Sequence, residues 1–96
     1  MYFVAHCLDK PGSLNTRLEN RPTHLAYLES LGNKVVLAGP YLDAAGAPCG
    51  SMLLFDGPDQ ASVEAWVAGD PYAKAGLFAL VEVRPWRWVI NPPASA

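Results

Sequence analysis

The sequence has few charged side chains and no surplus of either sign. Among its 96 residues, lysine and arginine together number 7, aspartate and glutamate number 9, and the net charge is −2 at pH 7. A protein that binds the phosphates of nucleic acid needs a surplus of lysine and arginine on one surface. The composition therefore argues against a nucleic-acid partner.

Long apolar segments are also missing. No stretch approaches the roughly 20 apolar residues of a membrane span. Residues 1–10 lack the basic start and the small-residue cleavage site of a secretion signal, and their apolar side chains predict a strand instead. We therefore expect a cytoplasmic protein with no membrane partner.

Cysteine and histidine are scarce, with two of each. Cys7 and Cys49 are far apart in the sequence and form no CxxC motif, which favours two free buried thiols over a disulfide or a redox pair. The histidines and cysteines also lack the spacing of zinc ligands. We expect no metal site and no cofactor.

Breaks at proline and glycine divide the chain into four predicted strands and two main helices. The predicted strands cover 2–8, 34–42, 49–57 and 77–90, and the predicted main helices cover 21–31 and 60–69. Because proline fits best in the first turn of a helix, Pro22 predicts a separate short turn of helix at about 13–19. Asp70 and Pro71 predict one further helical turn, which ends at Gly76.

The predicted order β-α-β-β-α-β is that of a ferredoxin-like α+β fold, an antiparallel sheet with both helices on one face. The strands are apolar on both sides, so the second face also needs a cover. A second copy of the sheet is the simplest one, and we predict a homodimer whose sheets face each other as a dimeric α+β barrel. Residues 1–90 form the single predicted domain, and residues 91–96 form a flexible C-terminal tail.

The first candidate for chemistry is His24. It follows Pro22 closely, so it falls in the first turn of the predicted helix, where the helix dipole disfavours imidazolium and favours a neutral base. A helical wheel places it at the border of a stripe of leucines that runs from Leu14 to Leu31, where a side chain faces a cleft. A boundary histidine bonded to a nearby carbonyl is the alternative interpretation.

The second candidate is Asp70, which precedes Pro71 and has the pattern of an N-cap. Capping alone would explain this aspartate. A carboxylate has two oxygens, however, so one can accept a backbone N–H while the other orients the imidazole of His24. The two residues would then form a His–Asp dyad for acid–base catalysis.

Four more residues are candidates for contact with a substrate. Arg17 and Arg21 lie just before the candidate histidine, where they either remain solvated or hold a carboxylate or an enolate. Ser51 lies on a predicted strand, where its hydroxyl could enter a pocket, but no G-x-S-x-G motif marks it as a nucleophile. Tyr72, just after the candidate aspartate, is the fourth.

Four segments resemble the signature segments of a known family. They are RPTHLAYL at 21–28, AGPYLDAAG at 38–46, GSMLLF at 50–55 and DPYAKAGLFALVEVRPW at 70–86. In this order and spacing they are similar to the YciI-like proteins, the YCII-related domain, over about residues 2–90. The resemblance implies a dimeric ferredoxin-like α+β barrel, which agrees with the fold predicted from the residues.

The resemblance also implies an active site. The histidine of the family's R-P-x-H segment falls on His24, and the aspartate of its D-P-[FY] segment falls on Asp70. One branch of the family resembles lyases that eliminate chloride from a chlorinated hydroxyhydroquinone. The barrel superfamily also contains muconolactone isomerases and monooxygenases that act without metal or flavin.

Our leading hypothesis is a cofactor-independent enzyme of lyase or isomerase type. His24 would transfer a proton on a small oxygenated metabolite, with cyclic molecules favoured, and Asp70 would hold the imidazole in one tautomer. The alternative is a non-catalytic homodimeric domain that binds a small molecule or serves a larger enzyme. A haem- or oxygen-using barrel enzyme would need an axial ligand at His6 or His24.

Overall fold

The computed structural model describes residues 1–94, which form the predicted β-α-β-β-α-β arrangement with one extra helical turn before the last strand. The strands are β1 (Tyr2–Asp9), β2 (Val35–Leu42), β3 (Pro48–Asp56) and β4 (Phe78–Trp86). The helices are α1 (Leu14–Leu31), α2 (Gln60–Ala68) and α3 (Pro71–Lys74). A single 3-10 turn over Gly32–Lys34 joins α1 to β2.

The four strands form one antiparallel sheet in the order β2-β3-β1-β4. Every second residue of β1 is buried on one face, beginning with Phe3, Ala5 and Cys7. Side chains of both main helices, including Leu28 of α1 and Val63 of α2, pack against these residues. The ferredoxin-like α+β fold with both helices on one face is therefore confirmed.

The first helix runs without interruption from Leu14 to Leu31, with Pro22 inside it. The prediction of a short turn at 13–19 and a separate helix from 21 was therefore wrong. Proline inside a helix removes one hydrogen bond and costs about 3 kcal/mol. The residues of α1 that are buried are Arg17 and His24, one on each side of Pro22, and their contacts with the rest of the molecule outweigh this local cost.

The stripe of leucines on α1 is only partly a core surface. Leu14, Leu18 and Leu25 are exposed, whereas Leu28 and Leu31 pack against the core. The side chains of α1 that are fully buried are polar. The spacing of the leucines predicted a helix here, but it did not predict which face of the helix the fold covers.

The last strand ends at Trp86, not at residue 90 as predicted. Its pairing with β1 stops at Trp86 opposite Tyr2. Beyond that point the indole N–H of Trp88 donates to the carbonyl of Ile90 at 2.7 Å, within the segment itself. Residues 95 and 96 of the predicted tail lie outside the described residues.

Within residues 1–94, much of the face of the sheet opposite the helices is uncovered in the single chain. Exposed apolar side chains on it include Leu8, Leu37 and Leu80. On the same face Tyr41 lies opposite Gly50, where an added Cβ would come within 2.9 Å of the tyrosine ring. The pairing of two copies through this face stays a prediction.

Two further predictions concern the thiols and the membrane. Both cysteines are free, but only Cys7 is buried, whereas Cys49 is partly exposed. The expectation of two buried thiols was therefore wrong for Cys49, which lies at the start of β3, near the end of the sheet. None of the helices within residues 1–94 has both the length and the hydropathy to cross a membrane.

Candidate active site

A cavity of about 240 Å³ lies between α1 and the part of the sheet formed by β2 and β3. Its apolar wall includes the exposed leucines of α1, Leu18 and Leu25, together with Gly39 and Pro40 of β2. Its polar lining residues are Arg17, Arg21, His24, Ser51 and Tyr72. The fold therefore brings five of the six predicted site residues to one cavity.

The sixth residue, Asp70, lies buried behind His24. The Nδ1 atom of His24 is 2.9 Å from Oδ1 and 2.8 Å from Oδ2 of Asp70. An ionised carboxylate can only accept hydrogen bonds, so this network assigns the hydrogen to Nδ1. The other ring nitrogen, Nε2, is then left as the proton acceptor on a side chain that lines the cavity.

Asp70 also caps the short helix α3, as its place before Pro71 predicts. Its Oδ1 atom accepts the backbone N–H of Tyr72 at 2.9 Å, and Pro71 occupies the first helical position. One carboxylate therefore both starts α3 and contacts His24. The cap fixes the carboxylate, and the carboxylate in turn fixes the imidazole.

The position of His24 within α1 corrects one part of the sequence analysis. Because α1 begins at Leu14, His24 lies in the middle of the helix and not in its first turn. The dipole at a helix N-terminus acts within about one turn, so it does not act on this imidazole. Asp70 is the charged group that His24 contacts.

Tyr72 joins the dyad to the nearest arginine. The rings of His24 and Tyr72 are stacked, with centroids 3.9 Å apart and an interplanar angle of 14°. The guanidinium carbon of Arg17 lies 4.6 Å from the centroid of the Tyr72 ring. Burial raises the pKa of Tyr72, although the positive charge of Arg17 opposes this shift, and the phenol therefore stays protonated at neutral pH.

Arg17 is buried and forms a bidentate ion pair with Asp9, so the solvated alternative is wrong for this arginine. Nε lies 2.6 Å from Oδ2 of Asp9, and Nη2 lies 2.8 Å from Oδ1. Nη2 also donates to Oγ of Ser51 at 3.0 Å. Burial alone would lower the pKa of Arg17, but the hydrogen bonds and the charge of Asp9 outweigh it and raise that pKa.

Asp9 is the residue of this site that the sequence analysis missed, because it was assigned to the break after the first strand. A signal for it does exist in the sequence. In a strand, alternate side chains share a face, so Asp9 lies on the same side as Phe3, Ala5 and Cys7. A carboxylate on that buried face needs a partner, and a cation on the helix above is the simplest one.

No cluster of three histidine, cysteine, aspartate or glutamate side chains that could hold a metal occurs among residues 1–94. His6 lies on the opposite face of the sheet from the cavity, where its Nδ1 is 2.8 Å from the hydroxyl oxygen of Tyr41.

Comparison with known proteins finds relatives along almost the whole chain. The family model of the YCII-related domain matches residues 1–87. The "Protein YciI" of Escherichia coli is 34% identical over 97 residues, which cover 93% of this chain and 99% of the relative. A protein of Haemophilus influenzae has the same identity and coverage.

Two solved structures share the fold. The 5-chloro-2-hydroxyhydroquinone dehydrochlorinase TftG of Burkholderia phenoliruptrix, in complex with 2,5-dihydroxybenzoquinone, is 39% identical with a TM-score of 0.85, over 91% of this chain and 94% of that one. An antibiotic biosynthesis monooxygenase, 13% identical with a TM-score of 0.57 over 92% of this chain and 97% of that one, shares the fold alone. The match of a family model to residues 1–87 and the full-length relatives agree with the segments seen in the sequence: this chain belongs to the YCII-related domain family.

Proposed function

We propose that this protein is a cofactor-independent enzyme of lyase or isomerase type that acts on a small oxygenated ring. His24 takes a proton from the substrate at Nε2 and can return it to a leaving group or to another atom. Asp70 holds the Nδ1–H tautomer and stabilises the imidazolium that forms. The observation that carries this proposal is the contact between the buried carboxylate and a histidine that lines an open cavity.

The size of the cavity supports a single-ring substrate. A cavity of roughly 150 Å³ is enough to hold benzene, and the cavity beside His24 has about 240 Å³. The relative TftG is a dehydrochlorinase that binds a dihydroxybenzoquinone. Hydroxylated and chlorinated hydroquinones are therefore the first substrates to test, with 2,5-dihydroxybenzoquinone as the first ligand.

The other polar lining residues have proposed roles in binding. Arg17 and Arg21 bring positive charge to an anionic oxygen of the substrate. Ser51 and Tyr72 present hydroxyl groups to the same cavity. General acid–base catalysis of this kind supplies roughly 10²–10⁴-fold in rate, and the fixed positive charges add to it by stabilising developing negative charge.

A non-catalytic binding domain is the second candidate function. One observation favours it: Asp70 caps α3 and His24 stacks on Tyr72, so both residues also stabilise the fold. In that case the cavity binds a small molecule, or the domain serves a separately encoded enzyme, without proton transfer at Nε2.

The experiment that separates the two candidates is His24→Ala, assayed by chloride release from 5-chloro-2-hydroxyhydroquinone. We expect turnover to fall by roughly 10²–10⁴-fold while the protein stays folded by circular dichroism. His6→Ala is the matched control because it removes the histidine on the other face of the sheet. Once sedimentation velocity shows the same assembly as for the wild type, its turnover should equal that of the wild type. Asp70→Asn should also lower turnover. Because it weakens the N-cap of α3, it should lower the free energy of unfolding by about 0.5–2 kcal/mol.

Two results would contradict the catalytic proposal. One is full turnover by a folded His24→Ala protein. The other is a wild-type protein that binds ring ligands tightly but converts none of a panel of hydroquinones and lactones, a result that supports the binding domain.

We propose in addition that two copies associate through the uncovered sheet face and that the protein is cytoplasmic. Three exposed leucines on that face support the association: Leu8, Leu37 and Leu80. Burial of their apolar surface between two copies would stabilise the dimer. Sedimentation velocity should give the mass of a dimer, and Leu37→Lys should shift it towards a monomer. A wild-type monomer at high protein concentration would contradict the proposed pairing.

A further inference from the structure

We propose that Asp9 is a positioning residue that fixes Arg17, so that Arg17 and the hydroxyl of Ser51 together bind an ionised oxygen of the ligand. This inference rests on the proposed function because it takes the same cavity as the ligand site. It names the class of substrate: a single-ring molecule that carries an acidic hydroxyl, ionised as a phenolate or an enolate.

The guanidinium of Arg17 has one fixed orientation. Two of its nitrogens, Nε and Nη2, donate to the two oxygens of Asp9. Both side chains of the pair are buried, at 3% and 6% exposure. Such a two-pronged pair defines the plane of the guanidinium as well as its position.

Asp9 itself does not line the cavity, whereas Arg17 and Ser51 do. The carboxylate therefore acts on a ligand only through Arg17, which separates its role from that of a catalytic residue. Without Asp9, a flexible arginine side chain would have to be ordered by each ligand, at a cost in conformational entropy.

Ser51 connects the fixed guanidinium to the ligand. Its Oγ accepts a hydrogen bond from Nη2 of Arg17 at 3.0 Å. A hydroxyl group that accepts in this way still has its own hydrogen to donate. Among residues 1–94 the hydroxyl makes only this one side-chain hydrogen bond, so its hydrogen is available to an acceptor in the cavity, and the positive charge of Arg17 strengthens that donation.

The charges of the site favour an anion when His24 is protonated. Asp9 and Asp70 supply two negative charges, and Arg17 and Arg21 supply two positive charges, so the site is neutral with a neutral imidazole. When His24 accepts a proton, the site has one net positive charge. A ligand that binds as an anion compensates this charge, with the proton on His24 taken from solvent, whereas a ring with un-ionised hydroxyls brings no compensating charge.

The test compares two rings of similar size by isothermal titration calorimetry at neutral pH. The hydroxyls of 2,5-dihydroxybenzoquinone are ionised under these conditions, and those of hydroquinone are not. We expect the wild type to bind the ionised ring at least about tenfold more tightly. Ser51→Ala should weaken binding of the ionised ring by roughly tenfold to a hundredfold and leave hydroquinone binding unchanged, because a hydrogen bond to a charged group is lost only for the first ligand.

Ser51→Ala is the primary variant because it leaves the pair of Asp9 and Arg17 intact and should fold. Ser30→Ala is the matched control, since Ser30 is exposed near the end of α1 and does not line the cavity. Asp9→Asn keeps the shape of the side chain but removes its charge. In the folded Asp9→Asn protein, the affinity for the ionised ring relative to that for hydroquinone should fall, as in Ser51→Ala. A purely structural role of Asp9 would not change this ratio.

The result that would overturn the inference is a wild-type protein without preference for the ionised ring, or a Ser51→Ala protein that keeps this preference. A folded Asp9→Asn protein with an unchanged ratio would overturn the role of Asp9. Failure of this inference can be distinguished from failure of the proposed function. If the wild-type protein converts no substrate but prefers the ionised ring, and Ser51→Ala abolishes that preference, the anion site is supported and only the catalytic proposal is contradicted.

Discussion

The two ends of the core between the sheet and the helices are built from different chemistry. At one end, Phe3 of β1 lies opposite Phe55 of β3, and the ring of Trp66 lies 5.9 Å from that of Phe55. At the other end, Cys7 lies opposite Ser51, and the next residue of β1 on this face is Asp9. Aromatic side chains fill the first end, and the cavity opens at the second.

Along the buried face of β1, the large aromatic Phe3 is followed by the small residues Ala5 and Cys7 and then by the charged Asp9. The partners on β3 change in the same direction, from Phe55 through Leu53 to Ser51. The cavity and the polar side chains of α1 lie at the end where β3 carries Ser51, and the buried ring of Tyr72 fills part of that end. The position of the site follows from this gradient as much as from the dyad.

The largest expected effect of a substitution on stability is at the apolar end. Phe55→Ala removes a fully buried aromatic ring and should lower the free energy of unfolding by about 3–5 kcal/mol. Urea denaturation measures this loss. The protein that remains folded should bind ring ligands as the wild type does, because Phe55 does not line the cavity; a large loss of affinity would mean that the two ends are coupled.

The next effect concerns Cys7, which lies at the polar end opposite Ser51. Burial, with a contribution from the charge of Asp70, raises the pKa of Cys7 from 9.0 to about 12. The folded protein then binds more protons than the unfolded chain between these values, so stability falls as pH rises from 9 towards 12. The loss is at most about 4 kcal/mol.

The control for this alkaline effect is Cys7→Ala. Its unfolding free energy, measured in urea at pH 8 and pH 11, should fall less with pH than that of the wild type. Equal losses in the two proteins would show that other groups, such as the tyrosines, govern the alkaline transition.

The smallest effect is expected on the apolar wall of the cavity. Leu18 is 51% exposed, so Leu18→Ala should lower the free energy of unfolding by about 0.5 kcal/mol or less. Leu53 lines the same cavity but is only 3% exposed. Leu53→Ala should therefore lower the free energy of unfolding by about 2–5 kcal/mol. Both variants should bind a ring ligand less tightly, and a similar loss of stability in the two would contradict the difference in packing.

Much of the fold could be predicted because its signals are local. The N-cap at Asp70, followed by Pro71, and the end of the first main helix at Leu31 depend on neighbouring residues and were found where predicted. The continuity of α1 could not be predicted, because proline at position 22 is locally unfavourable and the contacts of Arg17 and His24 that outweigh it are distant in sequence.

The site was predictable in part for the same reason. The sequence marked His24 by its place at the border of the leucine stripe and Asp70 by its N-cap pattern. Their contact could not be predicted from neighbouring residues, because it spans 46 positions in the sequence. Asp9 was missed because a polar residue at a strand end usually marks a turn. Strand alternation places this carboxylate on the buried face of β1, but the position of α1 above the sheet is needed to identify Arg17 as its partner.

The proline within α1 gives the two buried polar pairs of the cavity a place in the scaffold as well. The helix continues through Pro22 with one buried polar tether on each side, Arg17 to Asp9 and His24 to Asp70. These tethers hold α1 on both sides of the proline whether or not the protein catalyses a reaction. The same four side chains would therefore serve the helix and a ligand of the cavity at once.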